Sequence, residues 1–136
     1  MKIIRNEPIN ATELNRLFET AHWNIEPSTK LQEALEKTWG WLTVRDDSSN
    51  LIGFVRVFSD GLMHAYVLNM IVHPNHRKKG IGSALMTELM HFLGENKLVP
   101  TLAATPGNVD FYRKFGFETE SNGITAMCIR RKYWED

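Results

Sequence analysis

The sequence predicts a domain of mixed α and β structure, and three observations carry that reading. Its apolar residues switch between the period of strands and the period of helices, two helical stretches precede three strand-like runs, and a β-α-β unit follows. In order the elements read β, α, α, β, β, β, α, β, α, β, β. The start, Met1-Lys2-Ile3-Ile4-Arg5-Asn6-Glu7, is a charged strand-like segment. Asn10-Ala11-Thr12-Glu13 resembles a capping box and opens a helix with Leu14, Leu17, Phe18 and Ala21 on its apolar face. A second helix is predicted over residues 29–38, capped by Ser28 or Thr29. Residues 41–46 and 51–58 form a hairpin across Asp47-Ser48-Ser49-Asn50, and residues 63–72 make a third long strand after the turn Ser59-Asp60-Gly61.

That third strand runs into the most informative stretch, Val72-His73-Pro74-Asn75-His76-Arg77-Lys78-Lys79-Gly80-Ile81-Gly82-Ser83-Ala84-Leu85. Pro74 ends the strand because it has no N–H to donate. From Ile81 the apolar residues Ile81, Leu85, Leu89, Phe92 and Leu93 recur at helical spacing, so a helix starts inside the basic run. Its first amides have no partner within the helix, and with the positive end of the helix dipole they form an anion site. Gly80 and Gly82 carry no Cβ to hold a pyrophosphate off, and Arg77, Lys78 and Lys79 add charge. Two better-known phosphate loops are excluded. No lysine precedes Ser83 as the Walker pattern needs, and the dinucleotide pattern G-x-G-x-x-G stops at Leu85.

A second motif is Asn108-Val109-Asp110-Phe111-Tyr112-Arg113-Lys114-Phe115-Gly116-Phe117, after a predicted strand at 101–105 and the turn Pro106-Gly107. Asn108 is the expected N-cap, Phe111, Tyr112 and Phe115 share one face of a short helix, and Gly116 stops it before Phe117 resumes an extended run.

Together, R-x-x-G-x-G at Arg77 to Gly82 and N-x-x-x-F-Y-x-K-x-G-F at Asn108 to Phe117 make the chain resemble the GNAT superfamily of acetyl-CoA-dependent N-acetyltransferases. The resemblance is strongest over residues 51–117. It implies a single domain over residues 1–136 of α+β class (α/β three-layer type), with a mixed, strongly twisted sheet of six to seven strands and about four helices. It further implies that pantetheine pairs like a short strand with backbone groups of Met70, Ile71 and Val72, and that the pyrophosphate meets the amides of Lys78, Lys79, Gly80, Ile81, Gly82 and Ser83. Arg77 takes the family's Arg or Gln position. Asn108, Phe111 and Tyr112 close the other side, and Lys114 reaches the ribose phosphate.

Acetyl transfer sets its own demands. An alkylammonium of pKa about 10.4 is less than about one part in a thousand neutral at pH 7, so it must lose a proton before attacking the thioester. The oxyanion that follows needs a donor, for which a backbone N–H near Met70 or Ile71 is the candidate, and the departing thiolate needs an acid. The resemblance gives that acid role to Tyr112. Many relatives carry a carboxylate on the strand before the basic turn. Tyr66-Val67-Leu68-Asn69-Met70 has none, which leaves the base open between His64, Glu26 and a water or amine oriented by Asn69.

Composition bounds the rest. With 136 residues and 43% hydrophobic content the chain can build one core. Sixteen basic and sixteen acidic residues cancel, which argues against nucleic acid as a partner. No apolar run approaches the ~20 residues that span a bilayer, and the charged start is unlike a signal peptide, so a cytoplasmic, membrane-free protein is expected. The single cysteine, Cys128, lies between Met127 and Ile129 and reads as a small buried hydrophobe, and no Cys and His set has zinc-ligand spacing. The family's substrate pocket would draw on Trp23, Trp39, Trp41, Phe54, Arg56, Phe58 and Tyr66, aromatics that suit an aryl-alkylamine. A polyamine is the other small-molecule acceptor. Acetyl-CoA and a small-molecule amine are thus the expected ligands, with a homodimer through a C-terminal strand carrying Tyr133 and Trp134. The alternatives are a catalytically silent acetyl-CoA sensor or adaptor, and acetylation of a protein or peptide amine.

Overall fold

The computed structural model describes residues 1–119 and 126–134, apart from the side chains of residues 132 and 133. They fall into two compact units, 1–102 and 103–136.

The first unit holds one sheet in the order β1-β2-β3-β4-β5, built from β1 (Lys2–Arg5), β2 (Gly40–Arg45), β3 (Leu51–Ser59), β4 (His64–Val72) and β5 (Val99–Leu102). The first four strands are antiparallel, and β5 joins β4 in parallel. Strand alternation sends Phe54 and Ile71 to one face, where they pack with Leu14, Leu17 and Phe18 of α1 (Ala11–Thr20) and with Leu31 and Leu35 of α2 (Ser28–Glu36). Leu42, Val44, Val55 and Val57 point the other way, toward α3 (Ile81–Glu95), which buries Leu85, Met86, Leu89 and Leu93. The sheet is therefore covered by helices on both faces, the arrangement of the α+β three-layer class.

Several boundaries differ from expectation. The Asn10 side chain does cap α1, accepting from the Thr12 N–H at 2.8 Å, but Glu13 does not complete the box. Its carboxylate instead takes Arg45 through two bonds of 2.7 and 3.1 Å, a charge-assisted pair that outcompetes a neutral amide. Pro27 occupies the cap position of α2, with no side-chain cap bond. β5 starts at Val99 and ends at Leu102, earlier than the predicted 101–105; Pro100 is tolerated because, among the described residues, β5 is an edge strand paired with β4.

The second unit contains a 3₁₀ turn (Pro106–Asn108), α4 (Val109–Arg113) and a 3₁₀ segment (Arg131–Trp134). Six to seven strands were expected and the described residues hold five. The two C-terminal strands are the difference, with residues 120–125 outside the described set. Residues 126–130 form no strand, and the Tyr133 and Trp134 segment is 3₁₀ rather than extended. Cys128 is exposed rather than buried, as are Met127 and Ile129. Among the described residues no helix is long and apolar enough to cross a membrane.

Candidate active site

In the first unit the site is built where β4 meets α3. On the β5 side, pairing of β4 stops at Val67 opposite Leu102, so from Leu68 to Val72 no described strand satisfies that edge. On the β3 side the register slips: Arg56 pairs with Leu68 but Phe54 pairs with Ile71, so two steps of β3 match three of β4. The extra residue is a β-bulge at Asn69, whose φ of 56° is left-handed. Asparagine tolerates that region better than most residues, which is the local reason the bulge forms here. A bulge turns a backbone N–H out of the ladder, beside an edge that no described strand covers.

Beyond Val72 the chain makes a 3₁₀ turn (Pro74–His76) and enters α3 through Lys78 (φ 63°) and Gly80 (φ 79°). A Cβ on Gly80 would meet nothing within 4 Å, so the space beside the helix start is open. The first intrahelical bond runs from Ala84 N–H to Gly80 C=O, and no side chain caps the helix. The amides of Ile81, Gly82 and Ser83 are therefore available to an anion. Lys78 and Lys79 are exposed and form no ion pair among the described residues. Arg77 behaves differently, because its Nε donates to the Val72 carbonyl at 3.1 Å. That bond braces the turn against β4 and occupies one of the backbone acceptors expected to hold pantetheine. The Ile71 side chain is buried in the α1/α2 core, so only its backbone can take part.

Two of the candidates for the base lie apart on one strand. His64 starts β4, five residues from Asn69, which at about 3.3 Å per residue is roughly 16 Å along the strand. Its carboxylate rival, Glu26, pairs with Lys30 at 3.2 Å, and the Glu26 carbonyl accepts from Asn15 at 2.8 Å. Asn69 has its Oδ1 engaged by Arg56 Nε at 2.6 Å, a link that sequence reasoning missed. The only signal for it was the unusual polar residue in an apolar strand.

The expected substrate aromatics divide. Phe54 is core, 0% exposed; Trp39 stacks on Phe92 at 5.0 Å; Trp41 packs on the α1/α2 core and donates to the Glu7 carbonyl; Trp23 lies 5.3 Å from Phe18. Phe58 and Tyr66, 39% and 38% exposed, remain open and line a cavity with Asp60, His64 and Thr101. Arg56 is half-buried, with its guanidinium 4.9 Å from the Phe58 ring centre.

In the second unit the predicted residues sit on or beside α4. Asn108 precedes the helix but its side chain donates to Thr105 Oγ1 at 2.9 Å instead of capping. Phe111 packs edge-on against Tyr112 at 5.2 Å and against Phe115 at 5.4 Å, Lys114 is exposed, and Gly116 ends the segment at φ 96°. Tyr112 is half-buried, which pushes its phenol pKa up.

Comparison with known proteins agrees with this fold. The Acetyltransferase (GNAT) family matches residues 9–117, a span that runs through both units. A protein of Pyropia yezoensis called uncharacterized N-acetyltransferase ycf52 is 30% identical over 126 residues, covering 90% of this chain and 72% of its own. The histone acetyltransferase TAP1 of Glycine max is 28% identical, covering 88% of this chain and 56% of its own. Among solved structures, the GNAT family acetyltransferase SP0256 of Streptococcus pneumoniae superposes with a TM-score of 0.78 at 29% identity, covering 96% of this chain and 98% of that one.

Proposed function

Since the chain belongs to the Acetyltransferase (GNAT) family, we propose that it transfers the acetyl group of acetyl-CoA directly to the primary amine of a small molecule within a ternary complex. The observation that carries this reading is the open edge of β4 beyond Val67, leading from the Asn69 bulge to the uncapped amides of Ile81, Gly82 and Ser83. An extended thioester-bearing arm ending in a pyrophosphate matches that sequence of features. Lys78 and Lys79 add attraction for the phosphates. Asn108, Phe111 and Lys114 belong to the same reading through the second motif.

Acetyl-CoA supplies an activated acyl carbon. The amine nitrogen forms a bond to that carbon, the carbon–sulfur bond breaks, and CoA leaves as a thiolate. A backbone N–H at the Asn69–Met70 bulge stabilises the oxyanion between these events. Tyr112 gives the thiolate its proton, since a phenol is protonated at neutral pH, as an acid must be. With His64 distant and Glu26 engaged by Lys30, the ammonium loses its proton to water at the bulge. Phe58 and Tyr66 favour an acceptor with a flat ring, and the cationic Arg56 beside them disfavours a polyamine.

Calorimetric titration of acetyl-CoA, beside ATP and NAD and with a Gly82→Trp variant, tests the reading. Selective binding that the variant abolishes is expected, followed by CoA release with amines. A folded protein that binds none of the three would overturn it. The name of the soybean relative favours a protein amine as the second reading, and acetylation of a lysine peptide faster than of any small amine would establish it.

A further inference from the structure

Three arginines lie in the sheet, one on each of β1, β2 and β3, and they are treated differently. Arg5 holds Glu88 at 2.7 Å and Glu95 at 2.6 Å, and Arg45 holds Glu7 and Glu13, each at 2.7 Å. Arg56 holds no carboxylate among the described residues. Its Nε donates to the neutral Asn69 Oδ1, its plane lies against Phe58, and its terminal nitrogens have no described partner. Burial without a counter-charge disfavours its charged form, yet a guanidinium stays charged at any physiological pH. A half-buried cation left in this state is costly unless an anion joins it.

Its position says where that anion comes from. Phe54, Arg56 and Phe58 alternate on one face of β3 and pass from 0% exposure at Phe54 to 39% at Phe58, so Arg56 stands where the cover of α1 and α2 ends and the open aromatic surface begins. Across the ladders it faces Trp41 on β2 and Leu68 on β4, neither of which can neutralise it. Through Asn69 it also touches the bulge at which, on the acetyltransferase reading, the amine attacks the thioester carbon.

We propose that Arg56 binds a carboxylate carried by the acceptor, so that the substrate class is an amine bearing a nearby carboxylate, with its ring against Phe58 and Tyr66. The fork of a guanidinium matches a carboxylate with two parallel hydrogen bonds. This selects among amines and rests on the acetyltransferase reading above.

The experiment compares matched amines with and without the acid: tyrosine against tyramine, and tryptophan against tryptamine, read by CoA release from acetyl-CoA. The carboxylated member is expected to have the higher kcat/KM by about tenfold or more. That preference collapses in Arg56→Gln, which keeps a donor for Asn69, and in Arg56→Met, while calorimetric binding of acetyl-CoA is retained. Faster turnover of the amine lacking the acid, or a preference that survives both substitutions, overturns the inference. So does a preference lost in Arg56→Met but kept in Arg56→Gln, since Arg56 would then act only through Asn69. A second arm needs neither turnover nor acetyl-CoA: N-acetyltyrosine against N-acetyltyramine by ligand-observed NMR. Binding of the acid alone, lost in Arg56→Gln, supports the inference, and equal or absent binding overturns it. Failure of the acetyl-CoA titration would instead strike the proposed function, so the two are separable.

Discussion

Arg56 Nε reaches Asn69 Oδ1 at 2.6 Å across the one register slip between β3 and β4. The bulge is therefore held twice, by a residue that tolerates left-handed φ and by a charged donor on the neighbouring strand. Replacing Asn69 by Ala removes both supports, and a stability loss of about 2 kcal/mol is expected from the backbone cost together with the lost bond. Asn69→Gly keeps the backbone freedom and recovers about half of it. Denaturant melts of the two variants separate the terms; equal losses would show that φ contributes nothing.

The entry to α3 depends on Gly80 at φ 79°. The space around it is open, so Gly80→Ala meets conformational strain rather than a clash. About 1–2 kcal/mol of destabilisation is expected, with weaker acetyl-CoA binding because the free amides are tilted. Calorimetry on a variant shown to be folded checks the second part, and unchanged affinity would refute it.

Tyr112→Phe removes the proposed acid and leaves the ring packing with Phe111 and Phe117. Turnover is expected to fall by about a hundredfold while acetyl-CoA binding persists, within the range for a lost general acid. A Phe variant with full turnover would dismiss Tyr112 from the chemistry.

The same phenol also affects stability. Its pKa is raised in the folded chain, so the folded state holds the proton more tightly than the unfolded state does. The stabilisation is complete below the ordinary tyrosine pKa of about 10 and is lost as pH rises through the folded value. Thermal melts at pH 8 and pH 10.5 should show a steeper drop for the native protein than for Tyr112→Phe. Parallel curves would mean that the phenol titrates alike in both states.

Loss of the amine proton to water predicts that kcat/KM rises log-linearly with pH toward the pKa of the acceptor itself. Substituting His64→Ala should leave that profile in place. An inflection between pH 6 and 7 that disappears in the variant would restore His64 as the base.

Much of this protein was legible in its residues. Pro74, the basic run and the apolar spacing from Ile81 located the start of α3, because helix phase and the lost proline donor are local properties. The hairpin, the first two helices and the α4 motif followed from the same local rules, and two motifs at the right separation carried the family. What failed was set by competition between distant groups. Glu13 left its capping role for Arg45 on β2, and residues 126–130 form no strand among the described residues. Spacing along a chain contains none of these choices.

By itself, then, the sequence determined the element order through α4, the basic glycine-bearing turn into α3 and the acetyltransferase family, since each depends on neighbours a few residues apart. Only the tertiary structure decided that Asn69 bulges under Arg56, that β5 stops short of the end of β4, and that among the described residues Arg56 alone of the sheet arginines lacks a carboxylate. Those are outcomes of strand register and of which charges meet across it, and register is settled only when whole faces pack.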